Sequence, residues 1–567
     1  MKLIIRYFAI LVFFISCEKQ PEPDLPPKVV ESIQARVDNG LNPSIIVGII
    51  DKKGPRVYSF GKTSLTGTPV DEHTIYEIGS ISKVFTAILL AHQAELGKVS
   101  INDPAQKYLP SAARVPKRGD KEITLGHLSD HTSGLPRMPD NFNPEDFSNP
   151  YADYSVDQMY EFISRYALTR DVGAEYEYSN LAQGLLGHML ALNAGMSYED
   201  LMIEIIAHPL GMNETKVVLN DSMKKNLAIG HSEGEEVSNW DIPTMAGAGG
   251  IRSSVHDMLK FLAANIGLTQ TSLKSAMDKS HSVRHLKAGS ARVGLGWHIT
   301  KGKLGDVISH SGGTGGYRTF AGFVKEMQKG VVVFTNSSAG ADDIGYRLLN
   351  PTAIINPSKP TATSGFKEVL DSAGIQAAIG YYKDLKNNHG DDYDFSEGVL
   401  NTLGYVYIGK DLVASLAIFK LNVEEYPETY NVYESYGEAL LIKGDTAFAI
   451  ENYKKSLDVN PANANAISVL KELGVNWTPP VVNVPDETLE AYTGTYTFYK
   501  GLDIIITREG SRLFGQASGN PKAELYPKSE SEFYLKVVRA SLTFNKNDKT
   551  LTLHQNGQEL KGTRIAN

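Results

Sequence analysis

The chain has 567 residues, 42% of them hydrophobic and 21% charged, which is normal for a globular protein of about two to four domains. A net charge of −9 without long basic runs argues against a nucleic-acid surface. The single cysteine, Cys17, excludes an intramolecular disulfide, and no Cys/His spacing is typical of zinc binding.

The first residues have the pattern of a secretory leader. Two basic residues precede an apolar run over residues 7–15, which is too short to span a bilayer. Cys17 ends a segment that resembles the lipobox of bacterial lipoproteins, although Phe14 stands where leucine is usual. We therefore predict a signal peptide over 1–16, lipid attachment to Cys17 and a tether over 17–29; ordinary signal cleavage nearby is the alternative.

Residues 30–350 combine strands at both ends with helices between them. The runs Ser44–Asp51 and Pro55–Gly61 flank a Lys-Lys-Gly turn and predict a β-hairpin. Helical patterns then dominate to about residue 290, and strand-like patterns return from Arg292. This order predicts an α/β fold whose sheet joins the early and the late strands.

A Pro/Ser/Thr-rich linker over 351–365 leads to a helical block over 366–475. Within this block, Phe419 aligns with Tyr453 at an offset of 34 (453 − 419). The period resembles that of tetratricopeptide repeats, whose apolar faces are covered by neighbouring repeats. An unrelated helical bundle is the alternative.

A second linker over 476–487 is followed by short alternating strands over 488–567. Regular short strands separated by turn signals predict a small β-barrel or sandwich. No candidate catalytic cluster stands out in this part of the sequence.

The first motif with catalytic potential is a serine three residues before a lysine, Ser80 and Lys83, at the start of a helical pattern. A helix N-terminus stabilises negative charge, and a lysine of lowered pKa can take a serine proton. The spacing alone is weak evidence, because it recurs at Ser222–Lys225, Ser364–Lys367 and Ser468–Lys471. A helix cap beside a solvated lysine is the alternative.

The second motif is a tyrosine two residues before an asparagine, Tyr178 and Asn180, in EYEYSNLAQGLLGHML. A phenol can relay a proton, and an amide can hold a substrate amide or carbonyl. The alternative is a Ser/Asn cap on the helix that follows.

The third motif is His310-Ser-Gly-Gly313, which ends one predicted strand and leads into the next. Glycines there let a substrate approach the backbone, and free strand N–H groups can bind an oxyanion. A glycine-rich β-turn is the alternative.

Together, the three motifs resemble, in order and separation, those of serine β-lactamases and penicillin-binding proteins: SxxK, Ser- or Tyr-x-Asn and Lys/His-Thr/Ser-Gly. The resemblance is to the class C-like branch and covers the chain from about residue 30 to 345, with further matches in ITLGHLSDHTSGLP, HPLGMNET, AGAGGIRSSVHDMLKFL and GLGW. It implies an antiparallel sheet flanked by helices. The helical repeats and the small all-β domain resemble companions often appended to such hydrolases.

The resemblance also implies a reaction, acyl transfer through an ester on Ser80, without a metal or an organic cofactor. Lys83 would activate Ser80, and Tyr178 would pass a proton to the leaving group. The other implied roles are an oxyanion hole from the N–H groups of Ser80 and Gly313, orientation of Lys83 or the acyl side chain by Asn180, and His310 in place of the third-motif lysine.

Histidine is mostly neutral near pH 7, so His310 lacks the fixed charge of that lysine and weakens the case for penicillin as the natural substrate. Esters, peptides and D-amino-acid amides remain as candidate substrates. The nearby His127 and His131 are predicted to stabilise a loop through hydrogen bonds to the backbone rather than to bind a metal.

Two classes of function follow. The first is an exported lipoprotein enzyme of the bacterial cell envelope, in the periplasm or on the outer membrane, whose repeats are a possible dock for a protein partner. The second is a non-catalytic sensor or scaffold that binds a ligand and recruits partners through the repeats. The complete set of Ser80, Lys83 and Tyr178 favours the enzyme, because a binder has little need for all three.

Overall fold

The structure is a computed structural model that describes residues 25–565 apart from a few short internal segments. The segments left out are 287–291, 357–358, 364, 462, 479–481, 500–501, 519–521, 536–539 and 556–557. The predicted signal peptide and Cys17 lie outside the described residues. None of the described helices is both long enough and apolar enough to span a bilayer.

The chain divides into two compact units, Met1–Asp411 and Leu412–Asn567. The division falls inside the block predicted to carry the helical repeats, between a helix that ends at Ile408 and one that begins at Leu412. The first unit therefore contains the predicted hydrolase region together with the first helices that follow it.

The first unit contains short and long strands that alternate with helices. Its described strands are β1 (Ser44–Asp51), β2 (Gly54–Gly61), β3 (Ile75–Glu77), β4 (Lys117–Arg118), β5 (Lys121–Glu122), β6 (Gly230–Ser232), β7 (Glu235–Val237), β8 (Arg252–Ser254), β9 (His285–Leu286), β10 (Arg292–Val293), β11 (His298–Gly302), β12 (Gly305–Gly313), β13 (Arg318–Val324) and β14 (Lys329–Thr335).

Its described α-helices are α1 (Pro27–Asp38), α2 (Ser82–Glu95), α3 (Leu125–Ser129), α4 (Val156–Arg165), α5 (Asn180–Ala194), α6 (Tyr198–Met202), α7 (Asp221–Lys225), α8 (Ala246–Gly249), α9 (Val255–Asn265), α10 (Lys274–Ser280), α11 (Asp342–Leu349), α12 (Phe366–Ala373), α13 (Ile375–His389) and α14 (Glu397–Ile408). Two 3₁₀ turns, Gly79–Ile81 and Ala105–Tyr108, and one π-helical turn, Ile203–Ala207, complete the described helical structure.

The main sheet joins the two ends of the region 30–350, as the sequence predicted. Its order is β2-β1-β14-β13-β12-β11-β10-β9, and every neighbouring pair is antiparallel. In this register Ile45 of the early hairpin lies opposite Thr335 of the last strand. The α/β fold with an antiparallel sheet is thereby confirmed.

Both faces of the sheet are covered, which explains why β1 reads as a nearly continuous apolar run. Ile45 and Val47 pack with α1 and α11 on one face, whereas Ile46 and Ile50 belong to the larger core on the other face. Gly48 admits α9, because a Cβ at this position would lie 2.6 Å from Val255 Cγ1. The larger core surrounds α2, which is buried at every residue from Ser82 to Ala91.

The second unit continues the helical block and ends in an all-β region. Its described helices are α15 (Leu412–Glu425), α16 (Tyr430–Ile442), α17 (Thr446–Val459), α18 (Ala464–Glu472) and α19 (Asp486–Tyr492). The starts of α15 and α17 are 34 residues apart (446 − 412), which is the offset read from the sequence. Phe419 and Tyr453, the aligned aromatic residues, are both buried.

The all-β region is a closed antiparallel barrel of eight strands in chain order. These strands are β15 (Gly494–Tyr499), β16 (Leu502–Glu509), β17 (Arg512–Ala517), β18 (Ala523–Pro527), β19 (Glu532–Tyr534), β20 (Ala540–Asn545), β21 (Thr550–Gln555) and β22 (Gln558–Arg564). Closure removes the exposed strand edges that an open sheet of this size would present.

Candidate active site

Ser80 lies in the 3₁₀ turn Gly79–Ile81, immediately before α2. The N-cap residue of α2 is Ile81, and no side chain caps this helix, so Ser80 is not a helix cap.

The turn lies directly against the end of β12, where only glycine fits. A Cβ on Gly79, which has φ +49°, would lie 2.6 Å from Gly313 N, and one on Gly312 would lie 2.0 Å from Ile78 O. These close approaches bring the third motif to Ser80.

Lys83 is fully buried in the first turn of α2, and its amine has three polar neighbours. Its Nζ lies 3.0 Å from Ser80 Oγ, 2.9 Å from Asn180 Oδ1 and 2.7 Å from the carbonyl oxygen of Ala248. These neighbours come from the serine turn, from α5 and from α8. Asn180 and Ala248 therefore hold the amine against the serine hydroxyl.

The environment of Lys83 disfavours its charged form. Burial lowers the pKa of the Lys83 amine well below its usual value, and the positive charge of Arg137 lowers it further. No carboxylate contacts Lys83 among the polar neighbours described here. The amine can therefore be neutral at a pH at which an exposed lysine is charged.

Tyr178 and Asn180 lie at the start of α5, and Ser179 between them caps that helix. Ser179 Oγ accepts a hydrogen bond from Ala182 N, so the cap function belongs to Ser179 and leaves its two neighbours available for the site. The Ser80 side chain interacts with the Tyr178 hydroxyl. Burial raises the pKa of Tyr178 to about 12, so the phenol keeps its proton near neutral pH. Lys83 Nζ is 4.8 Å from the centre of the Tyr178 ring.

His310 lies on β12 and is almost completely buried. Its Nδ1–H donates to the carbonyl oxygen of Ser311 at 2.6 Å, which leaves Nε2 as the acceptor nitrogen. The ring is 4.8 Å from that of His298 and 6.2 Å from that of Tyr178. Burial, followed by His298 and Lys83, lowers the pKa of His310 well below its usual value. A neutral His310 therefore agrees with the sequence expectation.

His127 and His131 accept hydrogen bonds from the backbone, as predicted. His127 Nδ1 accepts from Thr124 N at 3.2 Å and closes a capping box at the start of α3. His131 Nδ1 accepts from Ser179 N at 3.1 Å, and its ring stacks on Tyr178 at 4.6 Å. Within the described ranges, no group of three or more His, Cys, Asp and Glu side chains is arranged to hold a metal ion.

Two contributors to this site were not identified from the sequence. Ala248 supplies a carbonyl acceptor from α8, and a backbone carbonyl leaves no residue-type signal. Arg137 faces the Tyr178 ring, with Cζ 5.2 Å from the ring centre. It directly follows the quoted segment ITLGHLSDHTSGLP, so its position beside a matched motif was the available signal.

Comparison with known proteins gives the family of residues 30–350. The beta-lactamase family profile matches residues 30–350, more than half of the chain, and a domain of unknown function, DUF3471, matches 478–564. A beta-lactamase of Escherichia coli (strain K12) is 24% identical over 381 residues, which are 60% of this chain and 97% of that protein. The D-alanyl-D-alanine-carboxypeptidase/endopeptidase AmpH of the same organism is 26% identical over 366 residues, 59% of this chain and 93% of that protein.

Solved structures of beta-lactamase-type proteins are also similar to this chain. A beta-lactamase/D-alanine carboxypeptidase from Yersinia pestis, complexed with citrate, has a TM-score of 0.51 at 26% identity and covers 57% of this chain and 96% of its own. A class C beta lactamase from Rhodobacter sphaeroides has a TM-score of 0.50 at 23% identity, with 57% and 97% coverage, and supports the fold alone. With its antiparallel sheet and the family match over 30–350, the chain belongs to the beta-lactamase/transpeptidase-like family of serine hydrolases.

Proposed function

We propose that this protein hydrolyses an ester, a peptide or a D-amino-acid amide through an acyl-enzyme on Ser80. The observation that carries the proposal is the buried amine of Lys83, whose Nζ lies 3.0 Å from Ser80 Oγ. Serine is a weak nucleophile unless a neighbouring base takes its proton. A lysine of lowered pKa at hydrogen-bonding distance is such a base.

The donors and acceptors around Lys83 can accommodate a neutral base. A neutral amine has two N–H donors and one lone pair. The carbonyl oxygen of Ala248 and Asn180 Oδ1 can only accept, so they use the two donors. The lone pair then faces the Ser80 hydroxyl and can take its proton when Oγ attacks the substrate carbonyl.

The remaining steps use the groups around Ser80. The attack forms a bond from Oγ to the carbonyl carbon, and the N–H groups of Ser80 and Gly313 stabilise the negative charge on the carbonyl oxygen. Tyr178, whose phenol is protonated near neutral pH, donates its proton to the leaving group as the old bond breaks. Lys83 restores the proton of Tyr178, and a water molecule then hydrolyses the ester on Ser80.

The substrate class is limited by His310. Its lowered pKa keeps it neutral, so the third motif lacks a fixed positive charge for a carboxylate. We therefore expect acylation by activated esters and penicillin-like probes but slow turnover of β-lactams. D-Alanyl peptides are candidate natural substrates, because a relative that is 26% identical is named as a D-alanyl-D-alanine carboxypeptidase and endopeptidase.

The proposal places the enzyme in the bacterial cell envelope, anchored by a lipid on Cys17 after removal of residues 1–16. The segment 366–475 would form tetratricopeptide-like repeats, and 488–567 a separate small β domain. The repeats would dock a protein partner. The lipid anchor is tested by the mass of the mature N-terminal peptide in wild type and in Cys17→Ala.

The experiment that tests the proposed reaction is covalent labelling with a fluorophosphonate, followed by mass spectrometry of the peptides. An adduct on Ser80 that is lost in Lys83→Ala supports the enzyme. Absence of labelling at every pH, in a folded protein, supports the non-catalytic sensor instead. A panel of p-nitrophenyl esters, D-alanyl peptides and cephalosporins, run on wild type and Ser80→Ala, then ranks the substrate classes.

A further inference from the structure

We propose that Arg137 binds a carboxylate on the substrate, so that the enzyme prefers acyl compounds that carry an acid group near the scissile bond. This inference deepens the proposed function and rests on it. Arg137 is exposed, and its Cζ lies 5.2 Å from the centre of the Tyr178 ring. The guanidinium therefore stands in front of the residue proposed to protonate the leaving group.

The backbone of Arg137 is fixed to the second motif. Its carbonyl oxygen accepts hydrogen bonds from Asn180 N at 3.0 Å and Leu181 N at 3.3 Å, the first N–H groups of α5. The next residue, Met138, contacts the Asn180 amide through Sδ at 3.7 Å. The position of the Arg137 side chain is thus set by the same turn that sets Tyr178 and Asn180.

The guanidinium itself has no hydrogen bond or ion pair with any described residue, which distinguishes it from the other arginines near the site. Arg318 donates to the carbonyl oxygens of Thr314 and Tyr317, and Arg252 is paired with Glu77 and Asp241. Arg170 forms an ion pair with Glu177. An arginine presents a planar set of N–H donors that fits a carboxylate. The donors of Arg137 are not used by any described residue.

The rest of the site gives an acid group little other positive charge to pair with. Lys83 and His310 have lowered pKa values because both are buried. The positive charge of Arg137 also acts on the nearby phenols of Tyr151 and Tyr176. A substrate carboxylate that reaches the Tyr178 ring would meet the guanidinium of Arg137, whose donors are not used by any described residue.

A structural role is the competing explanation, in which Arg137 only packs on the Tyr178 ring and keeps Lys83 neutral. Such a role would affect substrates with and without an acid group alike. The quantity that separates the two is the ratio of kcat/KM for an acidic substrate to that for its neutral counterpart with the same scissile bond.

The test uses two matched pairs on the full chain. Mono-p-nitrophenyl succinate against p-nitrophenyl butyrate places the carboxylate on the acyl side, and 3-carboxyphenyl acetate against phenyl acetate places it on the leaving group. We expect wild type to prefer the acidic member of at least one pair. Arg137→Gln should lower that ratio by about 10- to 100-fold, the usual range for a charge-assisted hydrogen bond. Arg137→Lys should restore part of the ratio, and added salt should weaken it.

The matched control is Arg114→Gln, which removes an equal charge from another exposed arginine, one that contacts Ser164 only through its backbone N–H. The control should keep the wild-type ratio. Equal loss for both members of each pair in Arg137→Gln, or no preference for either acidic substrate in wild type, would overturn the inference. If no substrate shows turnover that depends on Ser80, the proposed function fails as well, so the two failures are distinguishable.

Discussion

The start of α2 and the middle of α18 contain the same spacing of residues in opposite environments. Lys83 of the first is fully buried against Ser80, whereas Ser468 and Lys471 of the second are exposed. Ser468 Oγ donates to Glu472, its neighbour one turn along the helix surface. The comparison shows that the spacing supplies only proximity, and that burial of the amine without a carboxylate partner supplies the potential for chemistry.

Substitution at the two sites gives the largest expected contrast. Ser80→Ala or Lys83→Ala should reduce kcat/KM by about 10³-fold or more, because removing one member of a catalytic unit costs about as much as removing all its members. Ser468→Ala and Lys471→Ala should leave kcat/KM within about twofold, since surface substitutions rarely act at a distance. Initial rates with an activated ester measure both effects. Similar losses at the two sites would contradict the comparison.

The phenol of Tyr178 is the next group to remove. Tyr178→Phe keeps the ring that packs on His131 and deletes the hydroxyl that interacts with Ser80. We expect kcat to fall by about 10²- to 10⁴-fold, the usual contribution of a general acid or base. Tyr160→Phe is the matched control, because its hydroxyl bonds to His188 Nε2 instead. An unchanged kcat in Tyr178→Phe would remove the proposed proton route.

The close approach at β12 can be broken by a single methyl group. Gly312→Ala would place a Cβ 2.0 Å from Ile78 O, so the strand and the serine turn must separate. We expect destabilisation of about 1–3 kcal/mol together with loss of Ser80 labelling. Gly380→Ala, in the exposed middle of α13 with nothing within 4 Å, should instead stabilise by about 0.5–1 kcal/mol. Calorimetry and labelling of both variants check this pair, and normal labelling in Gly312→Ala would argue against the geometry.

The pH dependence of stability reports the protonation state of Lys83. The pKa of Lys83 is lowered in the folded state, so between that pKa and about 10.4 the unfolded chain binds one more proton than the folded protein. Stability from this group therefore rises with pH, by at most about 1.4 kcal/mol per unit. Lys83→Met lacks this slope, so its stability relative to wild type should fall as the pH is raised toward about 10. A difference that stays constant with pH would show that Lys83 is charged when folded.

The smallest expected effect concerns His310. Its pKa is lowered well below the ordinary value, so it is already neutral and should not titrate in the range in which histidines usually do. The profile of log kcat/KM against pH should therefore have the same shape in wild type and in His310→Gln between about pH 6 and about pH 7.5. A break near pH 6.5 that disappears in the variant would contradict a neutral His310.

Local pattern was sufficient for the fold of the first unit and for the order of its motifs. The hairpin at Ser44–Asp51 and the strands after Arg292 have clear period and turn signals, and their pairing into one sheet follows from covering both faces. The predicted position of Ser80 at the start of the helix was less accurate, since α2 begins at Ser82 and the serine lies in a 3₁₀ turn. Helix ends are set by tertiary contacts here, because Gly79 and Gly313 must meet.

The contacts that tune the site lay beyond sequence reasoning. The carbonyl of Ala248 reaches Lys83 across 165 residues of chain, and a backbone oxygen has no signature of its own. Arg137 was missed because its importance comes from lacking a partner in the described structure, which is a property of the fold. The same holds for His310: the sequence shows that the residue is a histidine, but its burial is a property of the fold.

The most direct test of the neutral-lysine account is the rate of fluorophosphonate labelling of Ser80 as a function of pH. A lysine of lowered pKa predicts a rate that is level well before about pH 10 and that collapses in Lys83→Ala. A rate that keeps rising through about pH 10, as it would with a lysine of ordinary pKa, would contradict activation of Ser80 by a neutral Lys83.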